Sequence, residues 1–82
     1  MNNYQKKFVN IIDEIMKESY DLLKDICDFM DDTLDLYNRG LITKAFMEEH
    51  MLLSKNRIDY IVKIIDDMEQ KRNNILGEKH EI

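Results

Sequence analysis

In 82 residues the chain has no proline, no tryptophan, one cysteine and two glycines. Each shortage excludes something. Without proline, no helix interior loses a backbone donor or kinks against a pyrrolidine ring. With tryptophan absent and valine confined to positions 9 and 62, little favours strands. A single cysteine rules out an internal disulfide and fits a reducing compartment. Cys27 stands close to Asp25 and Asp28, whose charge disfavours a thiolate, so the expected role is a buried or half-buried structural thiol rather than a nucleophile. The opening residues carry no apolar core of the kind a secretory signal needs, and no run approaches the ~18 apolar residues of a membrane span. The expectation is a cytoplasmic protein that neither crosses nor binds a membrane.

What remains is 35% charged and 44% hydrophobic residues, the mix of long amphipathic helices and too apolar for a disordered chain. The net charge of −5 argues against direct binding to nucleic acid, where Lys and Arg must neutralise phosphates. Eighty-two residues make one domain at most.

The apolar pattern is helical throughout. Phe8, Ile15, Leu22, Phe29 and Leu36 recur every seven residues, with Ile12, Ser19, Ile26 and Thr33 in the complementary position of the seam and Val9, Met16, Leu23, Met30 and Tyr37 beside it. This predicts a first helix over about 4–38. Asn38-Arg39-Gly40 supplies its stop, with Gly40 suited to the left-handed position after the helix and Leu41 to the apolar contact that often follows. The turn covers 39–42. Thr43 is the expected cap of a second helix over about 43–76, with Ile42 and Met47 placed to clasp its start. Met47, Met51, Ser54, Ile58, Ile61, Ile65, Met68 and Ile75 keep the three–four spacing, interrupted by Arg72, and Phe46, Leu53, Tyr60 and Ile64 widen the face. Ser54 to Arg57 is its weak point, where a break near Asn56 would convert the hairpin into three helices. Lys71 and Arg72 suit the end of the second helix, Gly77 its stop, and 78–82 reads as a flexible tail.

The predicted fold is therefore all-α: two long antiparallel helices forming a hairpin over 1–77. One facing helix does not cover so wide a stripe, and small chains seldom bury enough surface alone. The hairpin is accordingly expected to form a homodimer, a four-helix bundle.

The most distinctive pattern is acidic. Glu14, Glu18, Asp21, Asp25, Asp28, Asp32 and Asp35 alternate by four and three along the side of helix 1 away from its apolar face, and Asp13 and Asp31 add to them. Residues 13–35 hold nine acids against Lys17 and Lys24. Like charges at these spacings cost a few tenths of a kcal/mol each (~0.2–0.5). Lys17–Asp21 and Lys24–Asp28 are placed to relieve the first half. The second half crowds a helix C-terminus whose dipole prefers cations. Folding about Gly40 brings Glu48 and Glu49 to the same end, with Arg39 and Lys44 as the nearby bases. Two readings stand. The stripe is a solvated face that keeps the chain soluble, or it is a docking surface for a basic protein. The average spacing is about 5 Å along the axis, of the order of phosphate spacing. A binder of this kind acts as an inhibitor or adaptor of phage or bacterial type, steered by charge and weakened by salt.

No phosphate loop, dinucleotide loop, zinc motif or nucleophile elbow occurs. No cofactor or metal is expected, since the acids point outward and His50 and His80 read as solvent histidines. Tyr37 and Tyr60 read as core-edge residues and Tyr20 as exposed.

Tyr37-Asn-Arg-Gly-Leu-Ile-Thr43 followed by Leu53-Ser-Lys-Asn-Arg-Ile-Asp-Tyr-Ile-Val62 resembles the small two-helix sporulation aspartyl-phosphate phosphatases, whose second helix carries Ser-x-x-Leu-Asp before an apolar run. That resemblance implies phosphatase activity on a response regulator, with Asp59 as the residue to test. The pattern departs at Ser54, one residue too far from Ile58-Asp59, where Lys55 holds the serine position. The first helix is also much longer than in that family. A helical assembly or secretion partner is the third functional class compatible with the residues.

Overall fold

The structure, a computed structural model, describes residues 2–77. Two helices account for nearly all of it: α1 over Asn3–Asn38 and α2 over Lys44–Gly77, antiparallel and packed on each other. No strand forms among the described residues. The proposed tail at 78–82 lies outside them, as does His80.

Local chemistry sets each boundary. Asn2 caps α1 through a reciprocal pair that the sequence reading missed: the Gln5 N–H donates to Asn2 Oδ1 at 2.8 Å, and the Asn2 N–H donates to Gln5 Oε1 at 3.1 Å. This is a capping box with Asn and Gln in place of the commoner Ser and Glu. At the other end Gly40 adopts φ 73°. Its N–H donates to the Tyr37 carbonyl at 3.0 Å, and the Leu41 N–H donates to the Leu36 carbonyl at 2.9 Å. Those two bonds are the Schellman arrangement. Leu41 itself remains exposed. Thr43 caps α2 as its position suggests, its Oγ1 accepting from the Phe46 N–H at 3.1 Å. No break occurs at Asn56; α2 is continuous through it. Ser and Asn weaken a helix by only a few tenths of a kcal/mol (up to ~0.7 each), less than the packing of Ile58, Ile61 and Ile65 around them contributes.

The seam between the helices is one residue displaced from the row that recurs most plainly in sequence. On α1 it starts at Val9, Ile12, Met16 and Ser19 and continues by threes and fours to Tyr37. On α2 it starts at Met47, Met51, Ser54 and Ile58 and runs on to Ile75. Every residue in both runs is buried or half-buried. Phe8, Leu22, Phe29 and Leu36 instead lie on its flank, exposed. Three adjacent rows of α1 are apolar, and a single facing helix covers only two of them.

The centre is a cluster of Ile26, Ile61 and Ile65, with Met16, Leu23, Met30 and Ile58 packed against it. Two polar residues of the α1 seam are satisfied within their own helix. Thr33 Oγ1 donates to the Phe29 carbonyl and Ser19 Oγ to the Ile15 carbonyl, both at 2.7 Å. Arg72 does not interrupt the seam. It is half-buried, and its Nε donates to Asp13 Oδ1 at 2.9 Å, tying the open end of the hairpin together.

Candidate functional site

Two surfaces are left over once the seam is made, and both follow from helical geometry. On α1 the carboxylates occupy the rows opposite the seam. Glu14, Glu18, Asp21, Asp25, Asp28, Asp31, Asp32 and Asp35 are all exposed, as are Glu48 and Glu49 on α2. Among the described residues only two of these ten enter an ion pair, each with a base one turn away: Asp35 with Arg39 at 3.5 Å and Glu48 with Lys44 at 3.8 Å. The pairings Lys17–Asp21 and Lys24–Asp28 do not close. An exposed contact of this kind is worth only about 0.2–1 kcal/mol against the side-chain entropy of holding it, so some close, as Lys71–Asp67 does at 2.9 Å, and others do not. Asp13 belongs elsewhere, since Arg72 draws it to the seam edge.

The second surface is the apolar flank. On α1 it is the row of Phe8, Ile15, Leu22, Phe29 and Leu36. On α2 it is Phe46, Leu53 and Tyr60 with His50, Arg57 and Ile64 in the row beside them. Along the middle runs a groove of about 500 Å³ bounded by Leu22, Ile26, Leu53, Tyr60, Ile61 and Ile64. A second hollow of about 400 Å³ adjoins it toward the turn, where Phe29, His50 and Leu53 meet Asp25 and Arg57. Tyr60 is well exposed at 67% rather than at the core edge. His50 is not a solvent histidine: its ring stacks on Phe46 at a centroid distance of 4.1 Å and meets Phe29 edge-on at 6.1 Å. The i,i+4 spacing of Phe46 and His50 makes that contact legible in sequence; Phe29 joins it only because the helices fold back.

Cys27 is exposed, contrary to the structural-thiol reading. It lies one step past Ile26, on the side of the seam away from the groove, where no residue of α2 covers it. Tyr20, on the same row, is exposed as expected. No group of three or more His, Cys, Asp or Glu side chains among the described residues is arranged to hold a metal. No helix among them is long and apolar enough to cross a membrane. Asp59 is exposed on the outer side of α2. Comparison with protein-family models, with curated proteins and with solved structures finds no match.

Proposed function

We propose that this chain is a non-enzymatic protein–protein interaction module, an inhibitor or adaptor that self-associates into a four-helix bundle and presents the α1 carboxylates to a basic surface on another protein. The observation that carries the reading is the state of the ten carboxylates: all exposed, and eight of them without an ion-pair partner among the described residues. An unneutralised row costs helix stability through like-charge repulsion. A cationic partner relieves that repulsion on binding. The two leftover surfaces also divide the labour, since the apolar flank and the outermost carboxylate row occupy different sides of α1.

Reversal of Asp28, Asp32 and Asp35 to Lys tests the docking role. The native chain is expected to recover a basic protein from host lysate at low salt and to release it as ionic strength rises, because the Debye length shrinks from ~10 Å at 0.1 M toward ~3 Å at 1 M. The triple variant is expected to recover none. Equal recovery by both forms reduces the row to a solubilising face.

A further inference from the structure

The apolar flank has a definite occupant. We infer that a second copy of this chain covers it, with α1 lying antiparallel to the partner's α1 about a two-fold axis at Leu22. The inference rests on the self-association proposed above and adds the face, the direction and the register.

Area is the first argument. Phe8, Leu22, Phe29 and Leu36 with Phe46, Leu53 and Tyr60 are between 37% and 67% exposed. At ~200 Å² for a large side chain, the seven hold roughly 700 Å², close to the ~800 Å² per partner of a standard stable interface. The chain as a whole exposes 6624 Å², where a compact monomer of its 9.9 kDa exposes only about 5,200 Å². Its radius of gyration is 18.4 Å against ~12 Å for a compact domain of this length. The excess is the cost of a one-sided core.

Self-complementarity is the second. A two-fold contact must use one patch on both partners, and the α1 row is symmetric about its centre. An axis at Leu22 sets Phe8 against the partner's Leu36, Ile15 against the partner's Phe29, and Leu22 against the partner's Leu22. On α2, Tyr60 borders the same central groove as Leu22, so the axis passes through the hollow rather than beside it.

Charge decides the direction. The turn half, residues 21–59, carries nine acids against five bases, whereas the open half, residues 3–20 and 60–77, carries six of each. Turn packed on turn brings two electronegative halves together. The antiparallel arrangement sets each against a neutral one, and it brings the partner's Lys6 and Lys7 level with Asn38 and Tyr37, within a turn of Asp35. This balance of charge between the two halves is the ground for the antiparallel choice.

Sedimentation at micromolar concentration, run beside disulfide trapping of a Leu22→Cys, Cys27→Ser double variant, tests this. Native dimer, rapid Leu22→Cys cross-linking and a dimer dissociation constant raised about 100-fold by Leu22→Glu are the expected results. Leu22 lies off the seam, so helical circular dichroism of Leu22→Glu should match the native chain. A native monomer overturns both the self-association and this interface. A native dimer untouched by Leu22→Glu overturns the face alone. One that Leu22→Glu dissociates but Leu22→Cys fails to cross-link overturns the antiparallel register, because turn-on-turn packing places the two Leu22 residues on diagonal helices. Native Cys27, on the opposite side, should remain uncross-linked throughout.

Discussion

Replacing Ile61 by Ala tests whether the seam lies where the two helices place it. Ile61 is 5% exposed and sits with Ile26 and Ile65 at the centre of the apolar cluster. The substitution removes three carbon atoms, about 2.4 kcal/mol at ~0.8 kcal/mol per buried methylene-sized group. A cavity term is added to that, but it is small here. No side chain among the described residues is sealed on all sides, and the Met16, Met30 and Ile58 side chains around the site can lean into the gap. The expected cost is therefore about 2–3 kcal/mol, the lower part of the ~2–5 kcal/mol span for such truncations. Leu52→Ala removes the same number of carbons from a side chain 60% exposed on the outer side of α2 and should change stability by less than ~0.5 kcal/mol. Urea unfolding followed by circular dichroism measures both. With a slope of ~1–1.5 kcal/mol/M, the Ile61→Ala midpoint should fall by roughly 2 M. The two variants must be compared at one protein concentration, since the self-association proposed above would make the midpoint depend on concentration. Equal losses for the two variants, or a loss under ~1 kcal/mol for Ile61→Ala, would refute the seam assignment.

Three further outcomes follow from the geometry. Gly40→Ala should cost about 1–2 kcal/mol, because φ 73° strains any side chain there although nothing lies within 4 Å of an added Cβ; Gly77→Ala, helical and equally open, should be within ~0.5 kcal/mol of native in the same urea assay. A double-mutant cycle of Asp13→Ala and Arg72→Ala should return a coupling below ~1 kcal/mol that shrinks with salt, since both side chains are 39–50% exposed; a coupling several times larger would mean the pair is desolvated. Asp28→Asn with Asp32→Asn should raise stability by a few tenths of a kcal/mol each (~0.2–0.5) by easing repulsion at the α1 C-terminal end, and the gain should fade in high salt; a loss would show that these carboxylates have partners within the fold.

Much of the architecture was legible in one dimension because it depends on short-range chemistry. Helical period, the Gly40 stop and the Thr43 cap each involve residues within a turn of one another, and all three formed as their spacing implies. The outward placement of the carboxylates is equally local, since 3.6 residues per turn puts them opposite any apolar stripe. Which apolar rows meet is a different matter. Three adjacent rows on α1 are apolar, and only the presence of α2 selects Val9, Ile12 and their successors as the seam and leaves Phe8, Leu22 and Phe29 at the surface. The Cys27 expectation failed for the same reason: its burial depended on which side of Ile26 the second helix took. His50 was misjudged on two counts: the Phe46 ring one turn before it was legible and overlooked, while Phe29 reaches it from 21 residues away in sequence. Arg72 looked like a flaw in the pattern until folding brought Asp13, 59 residues distant, within hydrogen-bonding range. Sequence alone determined the helices, their ends and the charge they carry, because those are set by neighbours along the chain. Tertiary structure alone decided which face is core and which is left open, because that choice belongs to the surface a helix meets.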